Sequence, residues 1–223
     1  MNIDDPIKND NRQYDYWHYQ NDERQEFSMI SELIPRGSKV IDLGCGNRTL
    51  LLRLQKERNA SVKGIELSVS GVEICSRNNP DVVQGRIDEH LPFEDNSFDY
   101  AVCNVTIQMV MYPEILLQEM KWIARYQIVS FPNFAFYHNS LEFILRGAMP
   151  THMLFHYRWY TTGHIHQLSL RDFLCLVQSV GGLTERGIYT ITAQNPIKQF
   201  FIEKYPNLFM LLPIVLLETT ERV

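Results

Sequence analysis

Within this 223-residue chain the run Val40-Ile-Asp-Leu-Gly-Cys-Gly46 leaves the fewest choices of fold. Apolar strand residues meet two glycines, and a leucine-rich segment with helical spacing, Leu50 to Leu54, follows. Strand, glycine turn and helix in that order open a βαβ unit. The glycines let the backbone turn tightly and approach a ligand, while the first N–H groups of the helix lack partners within it. Glu66 stands 20 positions after Gly46, at the end of the next apolar stretch, Ser61 to Glu66. A carboxylate there accepts both hydroxyls of a ribose, so the two features together predict a nucleoside site at a switch point of the sheet.

The same alternation continues. Helical spacing follows from Val69 to Arg77, then a third strand near Val82 to Arg86, a fourth from Ser97 to Cys103, a helix from Glu114 to Ile123 and a fifth strand from Tyr126 to Phe131. Ahead of the first strand, Phe27, Ile30, Leu33 and Ile34 mark an amphipathic helix that Pro35-Arg36-Gly37 stops. Residues 132–168 break the rhythm with aromatics and histidines. Their length predicts a functional, aromatic-rich insertion after the fifth strand, placed over the site. A helix from Leu170 to Val180 resumes the pattern, and Gly181-Gly182 ends it. Strands at Ile188 to Thr192 and Leu212 to Thr219 complete the sheet, the second as an antiparallel edge partner. The expected class is α/β, a doubly wound, mostly parallel sheet in one domain over 22–223. Residues 1–21, with Asp15 and the cluster Tyr14, Tyr16, Trp17 and Tyr19, form an N-terminal arm or lid.

With 45% hydrophobic residues the chain fills one core. A net charge of -5 gives no general pull towards a phosphate backbone, which argues against a nucleic-acid partner. Cys45, Cys75, Cys103 and Cys175 are scattered, as reduced core thiols of a cytoplasmic protein would be. The first 24 residues lack the apolar core of an export signal. The stretch from Asn207 to Leu217 is about half of the roughly 20 residues that a membrane helix needs and contains Pro213, so it reads as a buried strand with its entry, and no membrane partner is expected.

A dinucleotide fingerprint would require glycine at position 49, where Thr49 stands. The pattern Asp-Leu-Gly-Cys-Gly instead resembles the first motif of the class I S-adenosylmethionine-dependent methyltransferases, a Rossmann-like fold. The segment Leu91-Pro-Phe-Glu-Asp-Asn-Ser-Phe-Asp99 is similar to the one that leads into their fourth strand. The resemblance implies S-adenosylmethionine or S-adenosylhomocysteine as ligand. It implies that Asp42, Gly44 and Gly46 line the methionine part, Glu66 the ribose, Ile87 and Asp88 the adenine, with Asn104 near the methionine; Cys45 and Leu67 belong to the same set.

A closer likeness spans most of the chain. Ile128-Val-Ser-Phe-Pro-Asn-Phe134, Arg146-Gly147, Met149-Pro150, Trp159-Tyr160, Thr162, Ile165-His166, Arg171-Asp-Phe173 and Pro206-Asn-Leu-Phe209 resemble the MetW family of methionine-biosynthesis proteins. That resemblance implies a methyltransferase-like protein working with homoserine O-acyltransferase, without specifying a methyl acceptor. Two positions depart from the wider pattern. Arg48 replaces a glycine beside the presumed methionine pocket, where it would crowd the ligand or pair with its carboxylate. Arg86 replaces an acidic residue near the third strand, and Asp88, two residues on, would face the same side if that strand continues.

The insertion carries His138, His152, His156, His164 and His166 among Tyr137, Tyr157, Trp159 and Tyr160. Such residues serve as a base for methyl transfer, as aromatic packing or as interface anchors. His164 and His166 alone lack the third ligand of a metal site, so none is expected. Asn133 fits either a ligand contact or a turn. Two readings stand: a binding module that senses the nucleoside and supports the acyltransferase, and an enzyme that methylates a small molecule.

Overall fold

The computed structural model describes residues 24–76, 81–150, 163–191 and 195–220. In chain order these form α1 (Gln25–Leu33), β1 (Lys39–Leu43), α2 (Thr49–Arg58), β2 (Ser61–Glu66), α3 (Val69–Ser76), β3 (Asp81–Gln84) and β4 (Phe98–Asn104). A single 3-10 turn, Ile107–Met109, then leads to α4 (Pro113–Ile123), β5 (Ala124–Ser130), α5 (Tyr137–Arg146) and α6 (Leu170–Val180). The chain closes with β6 (Leu183–Tyr189), α7 (Pro196–Lys204), the one-turn α8 (Pro206–Phe209) and β7 (Ile214–Thr219).

The seven strands lie in the order β3-β2-β1-β4-β5-β7-β6. The first five are parallel, and β7 runs antiparallel to both β5 and β6. Successive side chains of a strand point to opposite faces, and the core divides accordingly. Val40 packs with Ile30, Ile34, Leu51 and Leu54 under α1 and α2, while its neighbour Ile41 packs with Leu117, Met120 and Phe173 under α4 and α6. Both faces are covered, as a parallel sheet requires. Strand order reverses between β1 and β4, which puts the crevice for a ligand at their carboxyl ends.

The structure corrects four expectations. The segment 212–219 is antiparallel but interior, seated between β5 and β6, and the edge belongs to β6. That strand occupies Leu183–Tyr189 and not Ile188 to Thr192, because the chain enters the sheet as soon as Gly181 ends α6. Its polar residues Thr184, Glu185 and Arg186 suit an exposed edge, where Arg186 reaches Glu218 of β7. The region from Asn207 is a helical turn followed by a strand, since Pro206 presets the first helical position. Finally, β3 stops at Gln84, so Arg86 and Asp88 lie beyond it in a loop. The arm at 1–21 and residues 151–162 of the insertion lie outside the described residues.

Candidate functional site

The crevice is built from the ends of β1, β2 and β4. Gly44 takes φ +86°, and a Cβ there would sit 2.6 Å from Thr106 Cγ2, so the turn after β1 and the loop after β4 interlock only around a glycine. The N–H groups of Gly44 and Cys45 both reach the carbonyl of Ile65, at 2.8 and 3.1 Å, which ties the turn to β2. Glu66 is buried at the end of β2. Its carboxylate accepts N–H bonds from Gly46 and Ser68, both at 2.8 Å. Gly71 of α3 lets that carboxylate sit close, since a Cβ there would meet Glu66 Cγ at 2.7 Å. The glycine loop and the acidic residue, 20 positions apart in sequence, are thus joined directly.

Asp42 lies at the floor of the crevice. It is fully buried, and its Oδ1 has no hydrogen-bond partner among the described residues. Burial, aided by the negative charge of Glu66, pushes its pKa up to about 7. Such a carboxyl is half-charged near neutrality and is stabilised by any cationic or N–H donor brought against it.

Cys45 packs behind the loop, with its Sγ where a Cβ on Gly64 would fall. Its thiol is hydrogen-bonded to that of Cys75, and this bond together with burial pushes it well above the usual thiol value. Cys45 therefore acts as packing. Cys75 and Cys103 are buried as well, whereas Cys175 is exposed, contrary to its expected core position.

Asn104 ends β4, and its side-chain oxygen accepts the Ser130 hydroxyl. Val105, next along, has φ +51°. A β-branched residue in the left-handed region is strained by about 1–3 kcal/mol, and such strain gathers at ligand sites. Nothing in the sequence announces it. Leu67 is half-buried, with its carbonyl accepting Gln84 Nε2 at 3.1 Å, and Ile87 is buried in the core beside Leu91 and Ile107.

Both departures from the motif have partners within the protein. Arg48 donates through Nη1 to the carbonyls of Ile74 and Cys75, the latter at 3.2 Å, and so satisfies the last turn of α3. Arg86 pairs with Asp88 through two N–H bonds, at 3.0 and 3.1 Å. The Asp88 carboxylate also accepts the N–H groups of Met111 and Tyr112. Burial alone would raise its pKa, but Arg86 and these bonds hold it below the usual carboxylate range. Asp88 is a clamp between two loops and not a strand-borne substitute for an acidic residue at position 86.

Of the segment 132–168, residues 164–166 meet Gln108, in the 3-10 turn after β4. The N–H groups of Ile165 and His166 both bond the carbonyl of Gln108 at 3.0 Å, and Gln108 Nε2 lies 3.4 Å from His164 Nε2. Burial lowers the His164 pKa to about 4, so the ring is neutral at physiological pH. His138 lies elsewhere, on α5, against the Tyr137 hydroxyl. His152, His156, Tyr157, Trp159 and Tyr160 fall outside the described residues. Among the described residues no His, Cys, Asp and Glu group is arranged to hold a metal ion. Asn133 proves structural: it is buried, donates to the carbonyls of Asn207 and Met210, and accepts from Ala135 and Leu170.

The family model described as "Methionine biosynthesis protein MetW" matches residues 24–215. The chain belongs to the MetW family. A relative from Rhodopirellula baltica, named "Bifunctional methionine biosynthesis protein MetXA/MetW", is 37% identical over 130 residues, covering 54% of this chain and 21% of its own length. The chain therefore corresponds to about a fifth of that bifunctional protein. Among solved structures, a Thermotoga maritima protein described as an S-adenosylmethionine-dependent methyltransferase, possible histamine N-methyltransferase, superposes with a TM-score of 0.61 at 17% identity. The match covers 87% of both chains. Geranyl diphosphate C-methyltransferase from Streptomyces coelicolor, solved with S-adenosyl-L-homocysteine, gives 0.58 at 14% identity, over 90% of this chain and 86% of its own. At such identities the structures establish the fold, class I methyltransferase, for this MetW family member. No helix among the described residues is long and apolar enough to cross a membrane.

Proposed function

We propose that this MetW family protein binds S-adenosylmethionine or S-adenosylhomocysteine between the Gly44–Gly46 turn and Glu66, and acts with homoserine O-acyltransferase in methionine biosynthesis. The observation that carries the ligand is the Asp42 carboxyl, buried with an oxygen that lacks a partner at the mouth of a glycine turn. The ligand's ammonium group supplies the charge-assisted donor that this oxygen lacks. Glu66, aligned by two backbone N–H bonds, is the carboxylate that would accept the ribose hydroxyls. Leu67 and Ile87 supply apolar walls for the base, Asp88 fixes the loop that carries Ile87, and Asn104 closes the methionine end. Arg48 is held by the Cys75 carbonyl and Arg86 by Asp88.

The ligand, when bound, supplies an electrophilic methyl group. Its use needs an in-line nucleophile near the sulfonium and, for some acceptors, a base to take the proton. His164 is held near 4 and is a poor proton acceptor. The joint name of the Rhodopirellula relative supports a partner of the MetXA kind, read here as the acyltransferase.

The reading is tested by measuring homoserine O-acyltransferase activity alone, with the wild-type chain, and with Glu66→Ala, each with and without S-adenosylmethionine. The expected result is an activity change that depends on S-adenosylmethionine for the wild type and not for the variant. No effect of the chain at any ratio, together with methyl incorporation from labelled donor into a metabolite pool, would overturn it in favour of an enzyme.

A further inference from the structure

The helix α5 is built the wrong way round for a monomer. Its buried polar residue, Asn139, faces the body of the protein and donates to the carbonyls of Asn133 and Phe134. Leu141, Ile144 and Leu145, at helical spacing on another side, are 50, 75 and 79% exposed. An amphipathic helix in a globular domain turns its apolar stripe inward. Here α5 makes no extensive contact with any other described element.

That stripe does not stand alone. Tyr137, at its start, packs on Phe209 of α8 with ring centroids 5.3 Å apart, and Phe209 packs on Phe201 of α7 at 5.1 Å. Phe201 touches Phe200 at 5.7 Å, and Phe200 and Ile197 are 55 and 68% exposed one turn apart. Rings thus join two outward apolar stripes into one face. With roughly 200 Å² for a Phe and less for a Leu or Ile, the exposed fractions leave on the order of 600 Å² of apolar surface. The largest patch on an ordinary monomer is about 300–600 Å², and a standard interface takes about 800 Å² from each partner.

We propose that this α5–α8–α7 face is where homoserine O-acyltransferase docks. The proposal rests on the partner reading above and names the surface. Its occupant is inferred from the bifunctional relative, whose name pairs MetXA with MetW in one chain. Tethering keeps two modules together at high effective concentration, and separate chains need an interface of their own. An apolar face rich in Phe and Leu, with Lys204 over the Phe200 and Tyr205 rings at its edge, supplies one. None of its residues is among those assigned to the ligand, so ligand binding is expected to survive its disruption.

The test mixes the purified full-length chain with the purified homoserine O-acyltransferase of the same organism in sedimentation velocity. Ile144→Glu/Leu145→Glu on α5 and Phe200→Glu on α7 are the variants, and S-adenosylhomocysteine calorimetry is the control. The proposal expects a wild-type complex, affinity lower by about 30-fold or more in each variant, as for interface hot spots, and unchanged ligand binding. A wild-type complex that the variants keep at full affinity overturns the surface and leaves the partner standing. Absence of a wild-type complex overturns the partner reading and the surface with it. Wild-type self-association that the variants abolish assigns the face to a second copy instead. A melting temperature several degrees lower in the variants shows a face packed within the free chain, which also overturns it.

Discussion

At Asp42, burial and a like-charged neighbour act together, and the consequence is a measurable pH dependence. Its folded pKa of about 7 lies above the ordinary carboxylate value of 3.8, so between the two the folded state holds a proton that the unfolded state has lost. Stability from this group is complete below about pH 4 and falls as pH rises through 7. His164 acts in the opposite sense. Its value drops from 6.5 to about 4, so the unfolded chain binds the extra proton and stability rises across that window. Asp42→Asn removes only the first of these. Relative to wild type it should gain stability between pH 4 and 8, on the order of 2–4 kcal/mol by urea unfolding; a pH-independent difference would contradict the assignment. Gly44→Ala should cost at least about 1–2 kcal/mol for the left-handed backbone alone, and Thr106→Ala should restore the steric part without restoring the rest. Glu66 and the two glycines were readable because the cradle needs those residue types at that spacing. Arg48 and Arg86 were not, since a sequence does not say that an arginine will point at a helix end or at a carboxylate two residues on.

Among elements, the parallel half of the sheet was legible because each strand is a short apolar run closed by a turn residue, as in Ser61 to Glu66. The boundaries of α6 were legible for the same reason. Ser169 accepts the Asp172 N–H while Asp172 accepts that of Ser169, a reciprocal cap. Ser169→Ala should therefore lower stability by about 0.5–2 kcal/mol in thermal or urea unfolding, with β1–β4 unaffected in hydrogen exchange. An unchanged midpoint would show that the cap contributes nothing. The antiparallel half was harder. β6 alternates poorly because it is an exposed edge, and α5 and α7 carry apolar stripes that face outward, so a pattern rule that assigns apolar residues to the core has nothing to anchor them.

At the scale of the molecule, seven strands in one order bring the ends of β1, β2 and β4 together, and this chain carries an apolar face on the helices after β5. The fold alone carries no activity, since one architecture hosts many chemistries. What the fold does here depends on the crevice holding a nucleoside ligand. Isothermal titration of S-adenosylhomocysteine into the wild-type chain and Glu66→Ala, at pH 7 in two buffers of different ionisation enthalpy, tests this most directly. Binding should be saturable and should weaken by about 10- to 100-fold in the variant, as loss of charge-assisted hydrogen bonds implies. Its heat should differ between buffers, because the ligand's ammonium draws the proton off Asp42. Binding that ignores both Glu66 and the buffer would place the ligand elsewhere, and no heat at any temperature would leave the cradle without a ligand and contradict the account.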